Sequence, residues 1–372
     1  VPSPSIWKVA LLYAETLALP PVVADRIRGW VRARDVSSLS DAANIVVTEY
    51  RIIHDDLVCQ LRQIAALFKK NSMFAEDGKC TEQARRNFEL GEVRCKITNK
   101  RLAHYYEHED RMDPMLRKWT ERLQLFIEEL LGDPKECVEA FTDLARLTAG
   151  ATQDRPRKRA YPFLKVTGSL RAPVRAWSYL KTVLLHWGIE PKLCKFTNVD
   201  WNSIAFVPKT WKTHRTIAME PTHSLPFQLG IDAFIKRRLK KVWRIDLSTQ
   251  GRNQEFARIG SLDGSIATID LEMASDTLSE ECVALAVPPE WFRLLSAFRS
   301  LRYKVEGKEG KYAKFSSMGN GYTFTLETLI FAAACRAVGA PLGSFTVYGD
   351  DIAIRTEYVD DLLKLLKYLG FR

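Results

Sequence analysis

The stretch that most restricts how this chain can fold runs Phe345-Thr-Val-Tyr-Gly-Asp-Asp-Ile-Ala-Ile354. A β-branched, aromatic run enters, Gly349-Asp350 interrupts it, and a second β run leaves. This reads as a β-hairpin, with glycine supplying the backbone dihedral a tight turn needs. Asp350 and Asp351 then stand side by side at the tip of an otherwise apolar element. They repel each other, and no counter-charge lies nearby in sequence. A divalent cation removes that cost. Ordinary turn chemistry explains one aspartate after glycine, but less readily a pair flanked by strands on both sides.

Three other pieces precede the hairpin. Ala267-Thr-Ile-Asp-Leu271 is a short β run carrying Asp270 near its end. Asp276 follows six residues later, where Thr277 and Glu280 fit a capping box, so Asp276 reads first as part of a helix start. Ser316-Ser-Met-Gly-Asn-Gly-Tyr-Thr323 is a glycine-rich loop leading into an apolar helix. Such a loop lets backbone approach a phosphate or sugar, but it lacks the spacing of a P-loop or a dinucleotide fingerprint. Val207–Pro221 carries Lys209, Lys212 and Arg215 three residues apart. Pro208 argues against a continuous helix there. The three cations could line a triphosphate channel or simply form a solvated basic loop.

Charge supports a polyanionic partner. The 372 residues carry a net charge of +10, yet residues 151–250 alone hold 19 Lys/Arg against 6 Asp/Glu. Neutralising phosphates releases counterions, which is what such a basic middle favours. Within it, Arg155, Arg157, Lys158, Arg159 and Lys165 interleave with Tyr161 and Phe163. That mixture suits a single-stranded nucleic acid, where cations follow phosphates and rings stack on bases. A basic linker is the competing reading. The seven cysteines are scattered, odd in number and free of any CxxC pair, which points to neither a disulfide framework nor a zinc module. His104 and His108 are spaced i, i+4 but lack an HExxH pattern, so a surface helix is the simpler reading. No apolar run approaches the ~18 residues of a membrane span. Val9–Leu19 reads as an amphipathic helix, not a leader.

The organisation expected is α+β. Helical patterns fill residues 1–150, notably Ile45–Leu67 and Met115–Leu131. Short β runs then appear at Ile204–Val207, Thr216–Met219, Ala267–Leu271 and Phe345–Tyr348. Between and after them lie helices over Phe227–Val242, Ser279–Ala286, Pro289–Phe298, Thr323–Val338 and Val359–Leu369.

The order is basic segment, strand with Asp, Gly-Asn-Gly loop into helix, then Gly-Asp-Asp hairpin. It matches the motif order of right-hand nucleic acid polymerases. Ser316–Phe324, Tyr348–Ile352 and Ile269–Ser279, with Val207–Pro221, Phe227–Ile231 and Pro288–Phe292, resemble the replicase of the leviviruses, the small positive-strand RNA bacteriophages. The resemblance covers about residues 200–372; residues 1–200 share only its helical, basic character.

The resemblance implies an RNA-directed RNA polymerase working from ribonucleoside triphosphates on an RNA template. It implies fingers built from a helical and basic region over residues 1–200 and a triphosphate-channel region over 201–262, then a palm over 263–372. It implies two Mg²⁺ ions, replaceable by Mn²⁺ or Ca²⁺, held by Asp270, Asp350 and Asp351 with the Leu271 carbonyl. Lys209, Lys212 and Arg215 would hold the triphosphate, and Asp276, Ser317, Gly319 and Asn320 the nucleotide, with its ribose hydroxyls tested by Asp276 and Asn320. Host elongation factors Tu and Ts and a small-subunit ribosomal protein are the implied partners, in the cytoplasm of an infected bacterium. The family continues past the hairpin into a thumb. This chain stops at Arg372, so a fragment or a shortened relative without its thumb is expected. The competing classes are a reverse transcriptase, which would show a Gln-Gly…Ser-Pro block, and a non-catalytic RNA-binding protein.

Overall fold

A computed structural model describes residues 4–16, 19–50, 55–165 and 168–372. They sort into two compact units, Val1–Asn87 with Phe206–Thr216, and Phe88–Ala205 with Ile217–Arg372. This differs from sequential boundaries at 200 and 262. The helix Asp77–Leu102 and the strands Trp201–Pro208 and His214–Met219 each begin in one unit and end in the other. Contacts made along such elements do not follow chain order.

The first unit is helical: Pro4–Thr16, Pro21–Ala33, Val36–Ser40, Ala42–Tyr50 and Asp55–Lys69. Pro21–Ala33 shows the local logic. Proline opens it, where its missing N–H costs nothing. Val23, Ala24, Ile27 and Val31 form the buried stripe, and Arg34 closes it in the left-handed region. Val46, Leu57, Leu61 and Ile64 join the same core. The pattern expected over Ile45–Leu67 thus yields buried helix on both sides of 51–54, which lie outside the described residues.

The second unit is mixed helix and sheet. The described strands are β1 (Leu170–Ala172), β2 (Phe196–Asn198), β3 (Trp201–Pro208), β4 (His214–Met219), β5 (Ile266–Ile269), β6 (Arg302–Val305), β7 (Lys308–Lys311), β8 (Phe345–Tyr348) and β9 (Asp351–Arg355), all within this unit except the end of β3 and the start of β4. They form a parallel pair β1-β2, a four-stranded sheet β4-β3-β6-β7 and an antiparallel three-stranded sheet β5-β9-β8. The helix Thr323–Ala337 is buried on nearly every face, as expected of a segment apolar all round. It packs against Pro114–Leu131. Val359–Leu369 buries Leu362, Leu365, Leu366 and Leu369, a stripe at helical spacing.

Several expected elements form with the expected ends, including Phe345–Tyr348, Pro289–Phe298 and Val359–Leu369. Unexpected ones also form, among them two that bear on the site region and its surroundings. Arg302–Lys311 is a second hairpin, rich in charge and weak in β pattern. Gly251–Asp263 is a helix with no buried residue, so it has no apolar stripe for a periodicity argument to detect. The capping box at Thr277 is corrected. Ser279 is the cap, accepting from the Cys282 N–H at 3.2 Å. The Thr277 hydroxyl instead donates back to the carbonyls of Met273 and Ala274.

Candidate active site

The hairpin forms as the sequence dictates. Tyr348 pairs with Asp351 across a two-residue connection of Gly349 and Asp350. Gly349 has φ 64°, and a Cβ there would lie 2.5 Å from the Phe324 ring, so both backbone and space require glycine. Its N–H donates to Thr328 Oγ1 at 3.0 Å, tying the turn to the buried helix Thr323–Ala337. On the other side of β9, Ile269 of β5 pairs with Ile352. That pairing brings Asp270, the next residue, near Asp351. Three carboxylates therefore gather where β5 and β8 end and β9 begins.

Asp351 is the most constrained of the three. Gln250 Nε2 donates to its Oδ2 at 2.7 Å and Asn253 Nδ2 to its main-chain oxygen at 2.8 Å. Asn253 also accepts from Thr346 Oγ1 at 2.8 Å, so one side chain links β8 to β9. Burial raises the Asp351 carboxyl above its ordinary pKa, and the negative charges of Asp350 and Asp270 raise it further. Asp270 and Asp351 line a cleft of about 280 Å³ with Gln250, Asn253 and Thr268. The donors at this strand end are oxygens, the ligand set of a hard divalent cation. Such an ion would relieve the repulsion that Asp351 registers, so the residues fit one.

A buried acid stands behind these groups. Glu327 is buried on the Thr323–Ala337 helix, and its carboxyl is pushed up to about 8. Burial is the main cause, with Asp350 and Asp276 adding to it and a hydrogen bond from Ser275 opposing it. The Ser275 hydroxyl donates to Glu327 Oε2 at 2.8 Å. Asp276, beside it, accepts from Lys314 Nζ at 2.7 Å.

In the Gly-Asn-Gly loop, Gly319 has φ 112°, and a Cβ there would run into the Ala218 carbonyl. Asn320 is buried. Its N–H donates to the Ser317 carbonyl at 3.0 Å and its Oδ1 accepts from the Tyr322 N–H at 3.1 Å. Among the described residues its Nδ2 makes no hydrogen bond of good geometry, with the Tyr322 hydroxyl as its polar neighbour. A buried amide donor without a well-aligned partner is costly and marks a place for a ligand acceptor.

The sequence matches the family described as RNA replicase, beta-chain, over residues 60–372. This chain belongs to that family. It is 38% identical over 296 residues to an RNA-directed RNA polymerase subunit beta of Enterobacteria phage SP, covering 76% of this chain and 50% of that protein. The corresponding subunit of Escherichia virus Qbeta is 36% identical over 289 residues, 76% of this chain and 48% of its own length. The beta chain of Escherichia phage MS2 is 42% identical over 181 residues, 48% of this chain and 33% of its own. The chain thus spans about half the length of the longer-matching relatives. A solved RNA-dependent RNA polymerase of a human picobirnavirus overlays 46% of this chain and 38% of its own at 11% identity, with a TM-score of 0.37.

Other residues singled out in this replicase-family sequence fall in several places. Leu271 directly follows Asp270, with its side chain buried. Lys209 and Lys212 are exposed in the connection between β3 and β4, and Arg215 is exposed near the start of β4, all in the first unit; the carboxylates are in the second. Arg157, Lys158 and Arg159 are exposed on one 3₁₀ turn. Tyr161 and Phe163 are 56% and 67% exposed, with rings stacked 6.0 Å apart. Arg155 is half-buried, 3.8 Å from Asp154. Lys165 departs from expectation. It is buried, and its ammonium donates to the carbonyls of Thr148 and Gly150, both at 2.6 Å. That takes it away from the exposed basic surface.

His104, Glu107 and His108 offer ligand atoms within 4.8 Å of one another on an exposed turn. The three aspartates do not form so tight a group. Among the described residues no helix is long and apolar enough to cross a membrane.

Gln250, Asn253, Lys314 and Glu327 were not legible as site residues. Glu327 carried a signal, being the lone charge in the apolar run Tyr322–Cys335. Lys314 is hidden among the lysines and arginines of residues 302–314, and Gln250 and Asn253 lie in polar sequence without any motif.

Proposed function

We propose that this chain carries the metal-binding and sugar-reading centre of template-directed RNA synthesis. In this reading two Mg²⁺ ions bind at Asp270, Asp350 and Asp351, with the Leu271 carbonyl as a further ligand. The observation that carries it is the gathering of three aspartates where β5 and β8 end and β9 begins, with Asp351 raised by both its neighbours. When bound, the ions supply Lewis acidity at the attacking 3′-hydroxyl and charge neutralisation at the leaving pyrophosphate. The chain's own part is positioning. Gln250 and Asn253 hold Asp351 from the side of the Gly251–Asp263 helix. Thr328 holds the turn that presents Asp350.

Asp276 and the buried Asn320 amide offer one acceptor and one donor, which together suit a ribose hydroxyl. Ser317 and Gly319 shape the loop that carries Asn320. Lys209, Lys212 and Arg215 supply cations suited to triphosphate oxygens. Arg157, Lys158 and Arg159, with Arg155 behind them, form a basic face suited to the RNA backbone. The three-stranded sheet with its backing helices serves as the palm of a right-hand polymerase, and the helical and basic regions before it as fingers. The family likeness extends the reading to a phage replicase at work in the cytoplasm of an infected bacterium, with host elongation factors Tu and Ts and a small-subunit ribosomal protein as partners.

Two measurements test the centre. Mn²⁺ titration followed by electron paramagnetic resonance should show binding that Asp270→Asn and Asp350→Asn each weaken by at least about tenfold. Primer extension on a hairpin RNA should use ribonucleotides and be lost in Asp350→Asn, with RNA affinity kept within about twofold. Unchanged Mn²⁺ binding in both variants would sink the metal assignment. Preference for deoxyribonucleotides would make the chain a reverse transcriptase.

A further inference from the structure

Lys314 stands where a lysine is costly. Its side chain is 0% exposed, and a buried ammonium is tolerated only when paired. Nζ donates to Asp276 Oδ1 at 2.7 Å, lies 3.9 Å from Glu92 Oε1 and sits 4.3 Å from the centre of the Phe88 ring. If cohesion were the sole requirement, an apolar side chain in place of this ion pair would serve as well or better.

The main chain of the same residue is tied to the same neighbour. Lys314 forms a bridge with Ser279. Phe315 N donates to the Leu278 carbonyl at 2.8 Å, and Glu280 N to the Ala313 carbonyl at 3.2 Å. Residues 313–315 are thereby laced to 278–280, just after Asp276. The chain then runs directly into Ser316, Ser317 and the Asn320 loop. One residue grips Asp276 with its side chain and anchors the Asn320 loop with its backbone.

Asp276 is fixed from behind as well. A Cβ on Gly91 would lie 2.8 Å from the Asp276 carbonyl oxygen, so the helix passes close against this backbone. The Asp276 side chain is 27% exposed. Its Oδ1 is taken by the ammonium, while Oδ2 takes no hydrogen bond among the described residues.

We propose that Lys314 is a positioning residue for sugar selection, holding Asp276 so that its free oxygen meets the 2′-hydroxyl of an incoming ribonucleotide. This rests on the reading of Asp276 and Asn320 given above. Without the ammonium, Asp276 turns to solvent or toward other donors, and the discrimination between ribose and deoxyribose falls. The triphosphate and base contacts, common to both sugars, do not.

The test is equilibrium binding of ATP and dATP to the full chain, with Mg²⁺ and a hairpin RNA that presents a templating uridine and ends in a 3′-deoxynucleotide. Wild type should prefer ATP by about tenfold or more, the range of a hydrogen bond to a charged group. Asp276→Asn should remove most of that preference. Lys314→Met should bring it to within about twofold of Asp276→Asn, keep dATP affinity near wild type and add nothing in the double variant. Lys314→Arg should restore part of the preference. If Lys314→Met does not fold, the Lys314→Met/Glu92→Gln pair, which also removes the second buried acid, carries the same expectation. A preference unchanged in the folded lysine variant but lost in Asp276→Asn overturns the role of Lys314 alone. A preference unchanged in Asp276→Asn, or absent from wild type, overturns the ribose reading beneath it.

Discussion

Glu327 shows how much one residue can weigh when the fold removes it from water. In the unfolded chain its carboxyl titrates near 4.5, and in the folded chain at about 8. Between those values the folded state keeps a proton that the unfolded state has released. The unfolded state binds fewer protons, so this group makes stability fall as pH rises from about 4.5 to about 8. Glu327→Gln keeps an acceptor for the Ser275 hydroxyl and removes the ionisation. With metal chelated, the variant and wild type should unfold at similar urea concentrations near pH 4.5, and the variant should gain steadily toward pH 8. A difference between the two that stays constant across that range would show that the carboxyl is not held protonated. Asp351 is raised by the same two causes, burial first and like-charged neighbours second, and a bound cation would reverse the second.

At the scale of elements, the Gly349–Asp350 connection and the helix beneath it act as one unit. The turn needs a positive φ, and the Phe324 ring fills the space a side chain would take. Gly349→Ala should therefore cost about 2 kcal/mol or more, combining left-handed strain with a steric clash. It should also weaken Mn²⁺ binding by displacing Asp350. Gly29 is the control. It lies within the helix Pro21–Ala33, and a Cβ there meets nothing within 4 Å. Gly29→Ala should stabilise by about 0.5–1 kcal/mol. Urea denaturation of the two variants beside wild type checks both signs. Equal effects would remove the case that the hairpin tip is sterically specified. The hairpin was readable in advance because its signals are local: two β-prone runs, a glycine at the break, and short range. The Gly251–Asp263 helix was not, because its contribution to the site is two polar side chains near its start and not a buried stripe.

For the whole molecule, the basic middle seen in composition divides into parts with different fates. Lys165 is spent inside the fold on two carbonyls, and Arg171 and Arg155 lie near Asp154. Arg157, Lys158 and Arg159 stay exposed with no ion pair among the described residues. They are the part of the surplus free to meet phosphates. Changing all three to glutamine should weaken binding of single-stranded RNA. It should also lower the slope of log affinity against log salt by up to about 2, at ~0.7 for each phosphate no longer neutralised. Lys165→Gln should leave that slope unchanged while destabilising the chain. An unchanged slope in the triple variant would place the RNA elsewhere.

The hairpin, the three aspartates, the Gly-Asn-Gly loop and the family can all be read from the chain as written, because each is carried by short contiguous patterns whose chemistry is local. Which of these groups are coupled is settled only on folding. Pairing of Ile269 with Ile352 brought Asp270 near Asp351. Burial, which depends on what packs from elsewhere in the chain, raised Glu327 and withdrew Lys165. Contacts between residues far apart in sequence brought Gln250 to Asp351 and Lys314 to Asp276. Charge and desolvation act through distance in space, and spacing along the chain does not encode it.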